Sequence, residues 1–142
     1  MNFELSTGIE FMIHGTFCAP DADWMHMSRR MTSFELFYVT SGTLYISDDD
    51  NNYTVRTGEY VITPPCENQH GWKASKCTFH YFHWYGDIAD DESYPVFGQY
   101  KDIDTIEKYY ALLSDENLSK EISNHIMAII LLEIKNGGKN IS

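Results

Sequence analysis

The chain has 142 residues, a formal net charge of −11, 43% hydrophobic and 15% aromatic residues. That length suits one domain with a real core, and that composition excludes a disordered chain. So acidic a surface repels phosphate backbones and anionic membranes, so any action on DNA is expected to run through a segment outside this sequence. Cys18, Cys66 and Cys77 form no CxxC pair. This argues against a disulfide framework or a cysteine-only zinc site and fits a reducing compartment. The opening MNFELSTGIEFMIHG carries early acids and no long apolar run, unlike a signal peptide. The most apolar stretch, 126–132, is far too short to span a bilayer. No membrane role is expected, and the expected location is the cytoplasm.

In chain order, IEFMIHGTF (9–17) alternates Phe11, Ile13 and Gly15 against Met12, His14 and Thr16, as a strand does. APDAD (19–23) is a turn. WMHMSRRM (24–31) reads as a strand with Trp24, His26, Ser28 and Arg30 on one face and Met25, Met27, Arg29 and Met31 on the other, although Arg29 breaks the parity. Residues 34–39 and 43–46 form two strands hinged at Ser41-Gly42. Residues 53–56 and 60–63 form two more hinged at Thr57-Gly58, and Pro64-Pro65 ends the last. SDDDNN (47–52) is a solvated hairpin loop. TFHYFHWY (78–85) separates Phe79, Tyr81, His83 and Tyr85 from His80, Phe82 and Trp84. Short strands about every ten residues, with no helical period among them, predict an all-β sandwich or barrel.

An acidic linker (86–99) follows, and then the period changes. Asp102 and Asp104 are candidate caps for a helix containing IEKYYALLS, and a second helix is expected over 118–135. Leu118, Ile122, Ile126, Ile129 and Ile130 form its apolar stripe, which Met127, Leu131, Leu132 and Ile134 widen. A helix this apolar is expected to contact two things, its own barrel and a partner subunit. Gly137-Gly138 reads as its C-cap. No GxSxG, P-loop or GxGxxG motif is present, so no catalytic residue is assigned.

Glu35, six residues and Gly42 resemble the end of the first cupin motif; Gly58, five residues, Pro64 and then His70 resemble the second. The finer resemblance is to the N-terminal effector-sensing domains of AraC-family transcription regulators. It is carried by Arg29 and Arg30 before FELFYVTSGTLYI, by TGEYVITPPCENQH, by YFHWYG, and by two helices behind them, and it covers about residues 11–135. The resemblance implies a mainly β fold, a cupin double-stranded β-helix barrel over 1–100, with a two-helix dimerisation segment over 101–136 in the same structural domain. It implies a small polar effector, such as a sugar, inside the barrel, a homodimer, and DNA binding through a C-terminal helix-turn-helix half not present here.

A metal-binding cupin carries His-x-His shortly before the glutamate. Counting back from Glu35, those places fall on Ser28 and Arg30 or on Arg29 and Met31, and arginine is a permanent cation that cannot accept a metal. Cys66 stands where glycine is usual, and His70 comes one position late. No metal and no cofactor are therefore expected.

The expected ligand-binding residues are Arg30, Glu35, Phe37, His70, Trp72, Tyr81 and His83. Arg30 shares the parity of Trp24 and His26, with Arg29 the inward arginine if Arg30 is at the surface. Glu35 would pair with the arginine or take a ligand hydroxyl. Trp72 is a pocket wall or core, and the Tyr81/His83 face is taken as inward. Leu118, Ile122, Ile126, Ile129 and Ile130 are the expected dimerisation residues. The rival reading is a stand-alone metal-dependent cupin enzyme, an isomerase or dioxygenase; a cupin scaffold serving only dimerisation is a third.

Overall fold

The structure is a computed structural model that describes residues 5–86 and 96–140. Most of the acidic linker therefore lies outside the described residues. The chain runs β1 (Ile9–Cys18), β2 (Arg29–Met31), β3 (Phe34–Ser47), β4 (Asn52–Arg56), β5 (Glu59–Thr63), β6 (Cys66–Gly71), β7 (Cys77–Gly86), β8 (Phe97–Gln99), α1 (Ile103–Leu113), α2 (Lys120–Gly137) and β9 (Lys139–Asn140). The described fold is mainly antiparallel β, a cupin-type barrel followed by two helices.

β3 organises the barrel. Its first half pairs with β5 and β7, and its second half pairs with β4 and β6. The two strands expected on either side of Ser41-Gly42 are thus one long strand that bends there. The register against β7 shifts between Val39 and Ser41, and Gly42 takes φ +73°. The strand expected over 24–31 is confined to Arg29–Met31, which pairs with β6. Residues 19–28 run instead as a strap across the barrel, held by Gly71 N–H to the His26 carbonyl (3.0 Å) and Ser75 N–H to the Trp24 carbonyl (2.8 Å).

Strand alternation divides the interior in two. Phe37, Val39, Val61 and Phe79 face into the barrel with Leu44, Ile46 and Val55. Their alternates Leu36, Tyr38, Tyr60, Ile62, Phe82 and Trp84 face outward, where the helices cover them with Ile106, Met127, Ile130 and Ile134. The sheet thus has an apolar layer on each side, which explains the unbroken apolar runs 36–39 of β3 and 60–62 of β5. Of the two candidate caps Asp102 is the one used, and α2 begins at Lys120, two residues later than expected, behind a Ser119 cap. Asp102 accepts the Thr105 N–H at 3.2 Å, and Ser119 accepts the Ile122 N–H at 3.1 Å. At the far end Gly138 has φ −81°, so α2 passes into β9 without a left-handed cap.

Gly42 and Gly58 both have left-handed φ, 73° and 81°. A Cβ on Gly42 would sit 2.3 Å from the Lys76 carbonyl oxygen, whereas one on Gly58 meets nothing within 4 Å. Gly58→Ala is expected to cost only backbone strain, about 1 kcal/mol. Gly42→Ala adds a clash with main chain and is expected to cost clearly more in urea denaturation. Equal costs would contradict the Gly42 geometry.

Candidate functional site

A cavity of about 400 Å³ opens between the strap and the inner face of β1, β3 and β7. Such a volume is in the range of small-molecule sites. Its polar floor is built around Glu35, which is 1% exposed. One carboxylate oxygen, Oε1, accepts from Arg29 Nη2 (2.8 Å) and from Gln69 Nε2 (2.9 Å). The other, Oε2, lies 3.1 Å from His83 Nε2. Since a carboxylate only accepts, His83 presents Nε2–H to it, and His83 Nδ1 meets Ser33 Oγ at 3.3 Å. Arg29 Nε donates to Gln69 Oε1 (2.9 Å), and Gln69 Nε2 also donates to Thr63 Oγ1 (3.0 Å). The buried carboxylate is thereby compensated from three directions, which is what burial of a charge demands.

The walls are apolar. Phe17, Trp24 and Phe79 pack ring against ring, with centroids 4.8 Å, 5.5 Å and 6.2 Å apart, so they form one continuous surface. Ile13, Met25 and Met27 border the cavity and remain exposed. Tyr81 lies across β1 opposite Gly15. A Cβ there would be 2.3 Å from the tyrosine hydroxyl, so a side chain at residue 15 would have to push the Tyr81 ring aside. His26 donates from Nδ1 to the Met27 carbonyl (2.7 Å), which leaves Nε2 as the acceptor of the neutral ring. Burial pushes the His26 pKa below its ordinary value.

Of the seven expected ligand-binding residues, Glu35, Tyr81 and His83 line the cavity. Arg30 does not. Its side chain is 71% exposed and lies 3.6 Å from Glu67, while Arg29 takes the inward place. The physical reason is that residues 24–28 are an irregular strap and not a strand, so a parity counted from Trp24 does not carry into β2, where Arg29 and Met31 point inward and Arg30 outward. Phe37 is fully buried one layer behind the wall, 5.3 Å from Phe79. His70 faces the opposite way from Gln69, with Nδ1 3.1 Å from the Asn68 carbonyl. Trp72 is 38% exposed on the outside, donating to the Tyr53 carbonyl and packed edge-on against Tyr45. Sequence reasoning missed Gln69, although His70 standing one position late in the second motif pointed to residue 69. Trp24, Met25, His26 and Met27 reach the wall from an irregular strap, for which no period gives a signal.

The floor does not suit a metal. A permanent guanidinium cation lies 2.8 Å from Glu35, and an amide occupies the next polar position. Among the described residues no three His, Cys, Asp or Glu side chains gather where they could hold an ion.

On the helices, the expected apolar stripe divides. Ile126 and Ile130 are in the domain core and Leu118 packs against it, while Ile122 and Ile129 are exposed, as is Leu132. Among the described residues no helix is long and apolar enough to cross a membrane.

Comparison with known proteins follows the same lines. The family model described as AraC-like ligand binding domain matches residues 17–140. The uncharacterized HTH-type transcriptional regulator YisR of Bacillus subtilis is 38% identical over 50 residues, which are 35% of this chain and 17% of that protein's length. ToxT of Vibrio cholerae, solved bound to (E)-4-(8-methylnaphthalen-1-yl)but-3-enoic acid, is similar with a TM-score of 0.48 and 10% identity, over 93% of this chain and 59% of its own. The Clostridium difficile EutQ protein is similar with a TM-score of 0.42 and 17% identity, over 60% of this chain and 67% of its own. With a family match from residue 17 to residue 140 across barrel, strap and helices, the chain belongs to the AraC-like ligand-binding domain family.

Proposed function

We propose that this chain is the effector-binding part of a transcription regulator, that a small molecule occupying the cavity is its signal, and that it carries out no reaction itself. The observation that supports this best is the cavity with a fully compensated ion-pair floor. A compensated Glu35 is well suited to holding a rigid shape and poorly suited to moving protons, because both its oxygens are already committed to protein partners. The same commitment weighs against the expected sugar, since Glu35 has little capacity left for ring hydroxyls. Action on DNA would come from a further part of the protein, and the chemistry described here calls for neither a membrane nor a location other than the cytoplasm.

The second half of the proposal is a homodimer formed through the exposed edge of α2. Ile122, Ile129 and Leu132 lie at intervals of seven and three residues, the spacing of a helix–helix seam. β7 links the cavity to α1, and α1 packs in turn against α2. Tyr81 and His83 face the cavity, while His80 between them holds Glu107 of α1 at 2.6 Å. A ligand that prefers one position of β7 would thereby bias the helices, in proportion to its differential affinity.

A thermal-shift screen of small metabolites against wild type and Ile13→Trp tests the reading. Ile13 borders the cavity and is half exposed, so the variant should fold while narrowing the entrance. A true effector at a hundred times its Kd stabilises by about 2.7 kcal/mol, a shift of several degrees in Tm, and the variant should lose that shift. Hits that stabilise both proteins equally would speak against the cavity. Stoichiometric metal surviving dialysis would favour the metal-dependent enzyme instead.

A further inference from the structure

We infer that the cavity's ligand is a flat hydrophobic acid, a monocarboxylate on an aromatic or similarly flat hydrocarbon body, with the carboxylate on Arg29 and the flat face on the ring wall. This rests on the reading of the cavity as the effector site and names the chemical class that site takes.

The polar groups with spare capacity are few. Glu35 has both oxygens engaged, Gln69 has its oxygen on Arg29 and its amide nitrogen on Glu35 and Thr63, and His83 is held between Glu35 and Ser33. Arg29 is different. A guanidinium has five N–H donors in a planar fork. Here Nε goes to Gln69 and one Nη2 hydrogen to Glu35, so the Nη1 group and the second Nη2 hydrogen remain without a partner among the described residues. Its side chain is 33% exposed and borders the cavity. That free end of the fork matches the two oxygens of a carboxylate. The Tyr81 hydroxyl, the Trp24 indole N–H and neutral His26 Nε2 are the remaining side-chain polar groups on the walls with no hydrogen bond among the described residues.

The rest of the lining fixes the body of the ligand. Phe17, Trp24 and Phe79 are in mutual contact, so no gap between them could box a compact cation. They offer a broad surface for a flat group to lie on. Met25 and Met27, half or more exposed on the strap, are flexible apolar covers for its other face. A sugar would strand most of its hydroxyls against this lining without partners, at a cost for each. The chain's net charge of −11 opposes an anion at long range, but that field is screened beyond roughly 8 Å at physiological salt, well outside contact with Arg29.

The test compares matched probes by calorimetry on the wild-type protein: 2-naphthoate, 2-naphthamide, 2-naphthalenemethanol and L-arabinose. The expected result is binding of naphthoate at least tenfold tighter than the amide or alcohol, with no binding of arabinose. Arg29→Lys keeps a cation beside Glu35 and loses the fork, so it should remove most of that tenfold preference while leaving the alcohol's affinity unchanged. Equal affinity for acid and amide, or binding of arabinose and not naphthoate, would overturn the acid class and leave the sensor reading standing. Failure of every probe to bind would also overturn it. The sensor reading itself fails separately, if no metabolite distinguishes wild type from Ile13→Trp.

Discussion

Replacing Glu35 by alanine should destabilise the domain by about 3 kcal/mol, the low end of what breaking a buried ion pair costs. The variant leaves Gln69, which is fully buried, and His83, which is 6% exposed, without the acceptor each now uses. The loss stays at the low end because Arg29 keeps 33% of its side chain exposed and can turn toward water. Glu35→Gln is expected to cost only about 1 kcal/mol, the net worth of an ordinary hydrogen bond. Its carbonyl can still accept from Arg29 and Gln69. Its amide can donate to His83 Nε2 if the ring moves its proton to Nδ1, where Ser33 Oγ can accept. Urea denaturation of the three proteins measures both differences. Alanine and glutamine variants of equal stability would mean that the carboxylate is not held by this network.

Ile130→Ala should cost about 2–5 kcal/mol and Ile129→Ala under about 0.5 kcal/mol in a dilute monomer, although the two positions are adjacent and carry the same residue. Ile130 is fully buried against the outer face of the sheet, whereas Ile129 is 38% exposed. If α2 forms the dimer seam, the Ile129 loss should grow with protein concentration, because association buries that side chain. Sedimentation at tens of micromolar should then give a dimer for wild type and a monomer for Ile129→Glu. A wild-type monomer under those conditions would refute the seam.

Much of the fold was legible because its signals are local. The alternation of TFHYFHWY separates cavity-facing Tyr81 and His83 from helix-facing His80, Phe82 and Trp84. Gly42 and Gly58 mark backbone that only glycine adopts without strain, and Asp102 caps its helix through Thr105. The helix stripe was visible, but its division was not. At about 100° per residue, Ile122 and Ile129 lie about 20° apart at one edge of it. The buried face is centred farther round, on Met127, Ile130 and Ile134. Composition gives the stripe, but only packing against the sheet decides which edge stays outside.

The site was less legible for the same kind of reason. Arg29 and Arg30 are neighbours in sequence, and the irregular strap before β2 breaks the alternation that would have told them apart. His70 drew attention as the titratable residue, whereas the buried neighbour Gln69 completes the floor. The strap residues Trp24 to Met27 reach the cavity by hydrogen bonds to residues 71 and 75, a connection no periodicity records.

The most direct measurement is a crystal structure of the domain with the strongest hit from the metabolite screen. The molecule is expected to lie on the Phe17–Trp24–Phe79 wall with its polar end at Arg29, above an intact Arg29–Glu35–Gln69 network. A molecule bound elsewhere, such as the groove between Tyr100, Glu133 and Lys139, with the cavity closed by its own side chains, would contradict that expectation.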